Sequence, residues 1–210
     1  MKYGILSGLL VITSASSAFA LGPARDAARG VSNTVNNSHL THTWESESCR
    51  EAKELGSFCR VTYVFDRIGS QVNKIEKYFA NEDECKLRDR TPEVEVRYVG
   101  TYKSREQIKE NVYALNMNFK RVIVTPFSEA GRQALVGQTF CGNSAWEVNR
   151  AVDLTTFVHG AQCSLRSLPE RVYDIYKVEH PRLYFGKDAE KATEYSRPIE
   201  IDTEVPFLQN

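Results

Sequence analysis

Apolar and polar side chains alternate along several short segments, and this period of two predicts β-strands. The segment from 58 to 66 shows the pattern most clearly, with inward positions at Cys59, Val61, Tyr63 and Phe65. A strand with this pattern buries one face, so Cys59 is expected on the apolar side, where a thiol behaves as a small hydrophobe. A turn at residues 68–70 then leads into a second arm over 71–79, which predicts a hairpin.

Further strands are predicted along the rest of the chain. Gly100 interrupts one of them, and a lone glycine within a strand often marks a bulge or a sharp bend. The tail over 196–208 is expected to be extended and to lie across the sheet edge. The predicted strands are residues 94–102, a hairpin of 112–117 and 121–125, then 172–178 and 183–185.

A single short helix is predicted over 127–136. Pro126 ends the preceding strand, and Ser128 is the expected N-cap. The charged stretch 81–89, which carries Cys85, is predicted to be a loop. Many short strands with one helix indicate a mostly β fold, an antiparallel sheet curled toward a barrel.

The N-terminal residues 1–20 are predicted to be a signal peptide. They contain one charge, Lys2, then an apolar run, and they end in Ala18-Phe19-Ala20, which fits signal peptidase cleavage. A flexible leader is expected over 21–39, followed by one domain over 40–210. No later segment is apolar enough to span a membrane. Because of the signal peptide, the sequence predicts an exported protein, periplasmic or secreted.

The charge balance narrows the classes of partner. The chain has 27 basic and 27 acidic residues, and cleavage after Ala20 would remove only Lys2, which leaves 26 basic against 27 acidic residues. A nearly neutral chain offers no electrostatic basis for binding nucleic acid or an anionic membrane. The sequence has no phosphate-binding loop or other cofactor motif, and no cofactor is expected.

Five cysteines in a chain predicted to be exported favour disulfides over metal ligands. No C-x-x-C occurs, and His159 alone among the histidines lies close to a cysteine, so no metal site is expected. The odd number leaves one thiol unpaired or available for an intermolecular bond.

Three sets of polar residues are candidates for a catalytic role. Asp153, His159 and Ser164 contain the residue types of a catalytic triad but fall within one short loop region, where a turn aspartate and solvated side chains are the expected reading. Glu76 and Glu95 are expected on a solvated strand face. His42, beside Trp44, is expected at the surface or at a rim. The sequence therefore predicts no enzyme.

Aromatic residues on the strand faces are the remaining functional signal. They would line the concave side of a curled sheet, which would be an ordinary core if filled and an apolar cleft for a hydrophobic ligand if open. The sequence does not decide between a filled core and an open cleft. The candidate pocket residues are Val61, Tyr63, Phe65, Tyr98, Tyr113, Leu115 and Trp146.

An ordered set of short motifs resembles the APCDD domain, the family of the adenomatosis polyposis coli down-regulated proteins of animals. Each motif is short, but together they run from about Leu40 to Leu208. The matching positions are Leu40, Thr43, Trp44 and Cys49; Tyr78 to Cys85; Val124-Thr125-Pro126; Cys141, Gly142, Trp146, Asp153, Thr155, Cys163 and Pro169; residues 173–179 and 183–186; and Arg197-Pro198.

The resemblance implies a half-open antiparallel β-barrel with one helix, disulfides Cys49–Cys85 and Cys141–Cys163, and an apolar pocket for a lipid or acyl chain. Animal members of the family are Wnt-binding inhibitors of Wnt signalling, with two such domains and a membrane anchor. One predicted domain without an anchor favours a bacterial envelope or secreted protein. The expected function is non-enzymatic binding of a lipid or acylated ligand. The alternative is a protein-interaction module that uses its concave face or sheet edge to hold an envelope or extracellular partner.

Overall fold

The computed structural model describes residues 39–52, 55, 57–66, 70–159, 163 and 165–210. The predicted signal peptide, the predicted leader up to residue 38, and most of the predicted turn at 68–70 lie outside the described residues. No helix within the described ranges is long and apolar enough to cross a membrane.

The described residues contain ten strands and two α-helices, most of them close to the predicted positions. In chain order they are β1 (Thr43–Ser46), β2 (Arg50–Ala52), β3 (Ser57–Phe65), β4 (Gln71–Phe79), α1 (Glu82–Lys86), β5 (Val94–Lys109), β6 (Val112–Pro126), α2 (Glu129–Gly137), β7 (Val152–Asp153), β8 (Glu170–Glu179), β9 (Arg182–Phe185) and β10 (Phe207–Gln209).

Eight of these strands form a closed antiparallel ring, in the order β1-β10-β9-β8-β6-β5-β4-β3 and back to β1. The prediction of a mostly β, antiparallel barrel is confirmed. β1 and β2 lie one after the other along β3, opposite 62–64 and 57–59 respectively. Among the described strands β2 pairs with β3 alone, whereas β1 also pairs with β10. The ring therefore closes through β1. β2 lies outside the ring and, among the described strands, is paired along one edge only.

The predicted hairpin of 112–117 and 121–125 is wrong, because both segments belong to the single strand β6. The register with β5 shifts where Gly100 pairs with Phe119 and the preceding Val99 pairs with Arg121. Lys120 is thus an extra residue, and the inward positions change from odd to even numbers across it. This change of phase explains why one strand resembles two in the sequence. The bulge that Gly100 predicted is confirmed.

The charged stretch predicted as a loop contains the short helix α1. The Asn81 side chain accepts a hydrogen bond from the backbone N–H of Glu84, at 2.9 Å, and acidic residues occupy the first turn. Both features stabilise a helix start. Cys85 on this helix is buried and bonded to Cys49, and the second disulfide joins Cys141 to Cys163. Both pairings implied by the resemblance are confirmed.

Helix α2 begins where the sequence predicted it. The Ser128 hydroxyl accepts a hydrogen bond from the backbone N–H of Gly131, at 2.9 Å. Gly131 lies against the backbone that leads into β5, where a Cβ atom would come within 2.2 Å of the Glu93 carbonyl oxygen. The helix can pack this closely because the residue at position 131 has no side chain.

The substitution Gly131→Ala should lower the free energy of unfolding by about 1–3 kcal/mol, since the added methyl group forces α2 away from the sheet. Gly137→Ala in the same helix is the matched control, because its Cβ would meet nothing within 4 Å. That control should be neutral or stabilising by up to about 1 kcal/mol. Urea unfolding of the two variants tests the packing, and equal effects would contradict it.

Candidate ligand cavity

The barrel interior carries charged side chains from β4. Its inward face consists of Val72, Lys74, Glu76 and Tyr78, each opposite an inward residue of β3. Glu76 is only 6% exposed. Its predicted place on a solvated face is therefore wrong, because the alternation of β4 puts Glu76 on the same side as Val72 and Tyr78. Glu95 on β5 pairs with the half-exposed Arg97, at 2.7 Å.

Three side chains surround the Glu76 carboxylate. One oxygen, Oε1, lies 2.9 Å from Lys74 Nζ and 3.0 Å from Arg50 Nη2. The other, Oε2, accepts a hydrogen bond from the Tyr78 hydroxyl at 2.9 Å. The Lys74 ammonium also lies 5.4 Å from the ring centre of Tyr98, in reach of a cation–π interaction. The carboxylate thus holds Lys74 and Tyr78 in place inside the barrel, together with the exposed Arg50 from β2.

These contacts decide the ionisation of the group. Burial alone would raise the pKa of Glu76, but Lys74, Arg50 and Tyr78 together hold it below its ordinary value. Burial would likewise lower the pKa of Lys74, but Glu76 raises it overall. Both residues are therefore charged at neutral pH. Burial and the nearby Glu76 raise the pKa of the Cys59 thiol to about 12, so it stays protonated.

Two cavities of about 310 and 290 Å³ adjoin this charged group. Both are lined by Arg50 from β2 and by Arg166 from the segment before β8. Arg166 Nη1 lies 2.6 Å from Glu170 Oε1, which anchors the guanidinium at the start of β8. The two arginines therefore lie at the junction of the cavities.

The cavities differ in the rest of their lining. The first lies beneath Ala52, Leu55, Phe140 and Leu165, with Tyr78 and Tyr98 on the barrel side. The second runs along an apolar wall inside the barrel, and its charged lining residues include Lys74 and Asp174 besides the two arginines. That apolar wall consists of Val61, Tyr63, Phe119, Val172, Phe185 and Phe207.

The seven predicted pocket residues are divided between cavity and core. Tyr98 lines the first cavity, and Val61 and Tyr63 line the second. The Tyr63 ring lies 4.9 Å from Phe185 and 5.5 Å from Phe207, measured between ring centres. The other four, Phe65, Tyr113, Leu115 and Trp146, pack into the surrounding core. Three of the seven residues thus border a cavity, and four belong to the packed core.

Trp146 lies one layer behind the first cavity. Its ring centre is 6.4 Å from that of Phe140, and its indole N–H donates to the Asn143 carbonyl at 2.9 Å. Phe140 and Arg166 each lie close in sequence to a cysteine of the Cys141–Cys163 disulfide. The disulfide therefore ties together two sides of the cavity lining.

Hydrogen bonds from Arg197 join its segment to β6 and to β8, the strand that carries Asp174. Arg197 Nη1 donates to the backbone oxygens of Leu115 and Asp174, at 3.1 and 3.0 Å, and Nη2 donates to the Asn116 side chain. The Asp174 carboxylate accepts the Gly186 N–H at 3.0 Å. A Cβ at position 186 would lie 2.7 Å from that carboxylate, so the close approach requires glycine. The late Arg-Pro motif in the sequence has this structural role.

The other polar candidates lie apart from the cavities. The Asp153 carboxylate pairs with Arg121, at 2.8 Å, and accepts hydrogen bonds from Thr155. His159 is exposed, and Ser164 lies outside the described residues. His42 packs edge-on against Trp44 and contacts Gln209, near the ring closure of β1 and β10.

Sequence reasoning missed Arg50, Lys74 and Arg166 as cavity residues. The sequence does contain a signal for Lys74 and Glu76 as inward residues, because their spacing of two within a strand places both on the face of Val72 and Tyr78. The sequence contains no such signal for Arg50 and Arg166, since they line the same cavities only because segments distant in the chain fold together. No protein-family model matches this chain, and no curated protein matches it at a significant level.

Proposed function

We propose that this chain is a non-enzymatic binding domain that acts outside the cytoplasm and takes a lipid or acyl chain into its barrel. The observation that carries the proposal is the pair of adjoining cavities inside the barrel, one of them bounded by six apolar or aromatic side chains. Enclosed, mostly preformed clefts of this kind are typical ligand sites in β-barrels.

The apolar wall supports an acyl chain as ligand. Val61, Phe119 and Phe185 are among the apolar residues that line the second cavity. Each methylene group moved from water onto such a surface contributes about 0.8 kcal/mol. The chain would thus bind by burial, with little need for directional contacts along its length.

The charged residues favour binding over catalysis. Glu76 is held ionised by two cations and the Tyr78 hydroxyl, and the Cys59 thiol is held protonated. A general acid–base group works best with a pKa near the ambient pH, and a cysteine nucleophile needs its thiolate. Glu76 is therefore arranged as the acid of a structural ion pair, and Cys59 as a buried neutral thiol.

The two disulfides are consistent with an oxidising compartment, as expected for an exported protein. They also agree with the pairing in the APCDD family, whose resemblance suggests an acylated ligand, as in its Wnt-binding animal members. We carry over the class of ligand, a lipid or acyl group, and we propose a periplasmic or secreted location.

A second candidate function is protein interaction. The free edge of β2 over Arg50–Ala52 exposes backbone groups next to the cavity opening, where a partner strand could pair. Capture of a partner from envelope extracts, unaffected by added fatty acid, would favour this function over the first.

The acyl-binding proposal predicts that purified protein binds dodecanoic acid with one-to-one stoichiometry in native mass spectrometry. Val61→Trp should weaken this binding about tenfold or more, because the indole would fill the second cavity. Val64→Trp is the matched control on the same strand, since Val64 belongs to the opposite face and should leave binding unchanged. Absence of binding to the wild type, or equal binding by Val61→Trp, would overturn the proposal.

A further inference from the structure

The charged side chains at the junction of the two cavities do not balance. Arg50 and Lys74 share one carboxylate, that of Glu76, and Arg166 pairs with Glu170. Arg166 also interacts electrostatically with Glu76 and Lys74. Within this partly buried group, three cations thus outnumber two acids.

Other charged residues line the cavities outside this group. Asp174 is buried beside the second cavity, and its Oδ1 atom accepts the backbone N–H groups of Ile175 and Gly186. Glu51, Arg171 and Asp188 are exposed, where solvent screens their charges, and Asp202 is half-buried among the lining of the second cavity.

The two arginines have the geometry to hold an oxyanion. Their side chains are 60% and 53% exposed, and each is anchored from one side by an acid, the buried Glu76 or the partly buried Glu170. The ion pairs engage Nη2 of Arg50 and Nη1 of Arg166, and a guanidinium has five N–H donors in a planar fork. Each side chain is thus held in position while it presents donors to the space that both cavities share.

We propose that the ligand carries an anionic head group, a carboxylate or a phosphate, which binds between Arg50 and Arg166 while its acyl chain lies along the wall of the second cavity. The inference rests on the proposed function, because it assigns the head group of the same ligand. A bidentate oxyanion between two guanidinium groups forms charge-assisted hydrogen bonds, which are stronger than neutral ones.

Three probes of equal chain length separate the contributions of head group and chain: dodecanoic acid, dodecyl phosphate and 1-dodecanol. Isothermal titration at neutral pH should show the wild type binding at least one of the two anions about tenfold or more tightly than the alcohol. Preference for the carboxylate or for the phosphate identifies which oxyanion the site takes.

Arg166→Gln should abolish this preference and leave the affinity for 1-dodecanol unchanged. Glutamine still offers a hydrogen-bond donor to Glu170, and the unchanged alcohol affinity shows that the barrel is intact. Arg97→Gln is the control, because Arg97 is a half-exposed arginine paired with Glu95 and is not among the cavity-lining residues. This control should keep the preference for the anion. Arg166→Lys, which keeps the charge but loses the fork, should give an intermediate preference.

The outcomes separate the two proposals. Equal affinity of the wild type for the alcohol and for both anions would overturn the head-group inference and leave acyl binding intact. A preference that survives in Arg166→Gln would also overturn it. Failure of all three probes to bind would overturn the acyl-binding function and the head-group inference with it.

Discussion

Glu76→Gln should lower the free energy of unfolding by about 3–5 kcal/mol, the range found when one partner of a buried ion pair is removed. Glutamine keeps the volume of the side chain, so the effect isolates the charge. Without the carboxylate, Lys74 keeps an ammonium group inside the barrel with no anion at Oε1, and Arg50 loses its anchor. The free-energy cost of desolvating the Lys74 ammonium group is then no longer offset by an ion pair.

Urea unfolding measures this effect, and the chain offers a close control. Lys177 and Glu179 are also a lysine and a glutamate two residues apart on one strand, and they also form an ion pair. The Glu179 side chain is 54% exposed, so Glu179→Gln should leave the free energy of unfolding almost unchanged. Similar losses in the two variants would show that the interior pair has no special role.

The same group makes stability depend on pH. Since the pKa of Glu76 is lowered from 4.5, its stabilisation is present above that value and is lost as the pH falls through the folded pKa. Since the pKa of Lys74 is raised from 10.5, its stabilisation is complete below that value and is lost as the pH rises through the folded pKa. The difference between wild type and Glu76→Gln should therefore be greatest near neutral pH and should shrink in acid.

Removal of the Cys49–Cys85 disulfide by a double alanine substitution should cost about 4 kcal/mol. The bond joins residues 36 positions apart and restricts the unfolded chain accordingly. It also fixes α1 beside the point where β1 passes into β2, next to Arg50. Guanidinium or urea unfolding of the oxidised wild type and the double variant gives the difference.

The second disulfide provides the comparison. Cys141 and Cys163 are 22 positions apart, so the corresponding double variant should lose less, about 3 kcal/mol. A reducing agent should destabilise the wild type and each double variant, and should leave a variant without either disulfide unaffected. Wild-type stability that does not respond to reduction would contradict the contribution of both bonds.

Much of the barrel could be predicted from the sequence, because alternation of side chains is a local property. β3, β4, β8 and β9 follow from it directly, and α2 follows from Ser128 and Pro126. β6 could not be predicted as one strand, because Lys120 shifts the alternation by one residue and only the pairing with β5 reveals the bulge. The place of β10 in the ring also depends on long-range pairing.

The candidate site was less predictable than the fold. The period of two placed Val61, Tyr63 and Tyr98 on inward faces, where the cavities lie. The same period also relates Lys74 and Glu76 to Val72 and Tyr78, but Glu76 was expected on a solvated face, because charged residues are rarely buried. Whether an inward aromatic residue lines a cavity or fills the core depends on the residues opposite it, which the sequence does not order in space.

The ring closure has a consequence for how the protein is made. β10 pairs with both β1 and β9, although β1 and β10 lie at opposite ends of the described chain. The barrel therefore cannot close until the residues up to Gln209 have been synthesised and, if the protein is exported, translocated. Until then β1 presents an unpaired strand edge, which is prone to association with other chains. Closure of the barrel should follow the synthesis of β10, at the slow rate typical of long-range strand pairing.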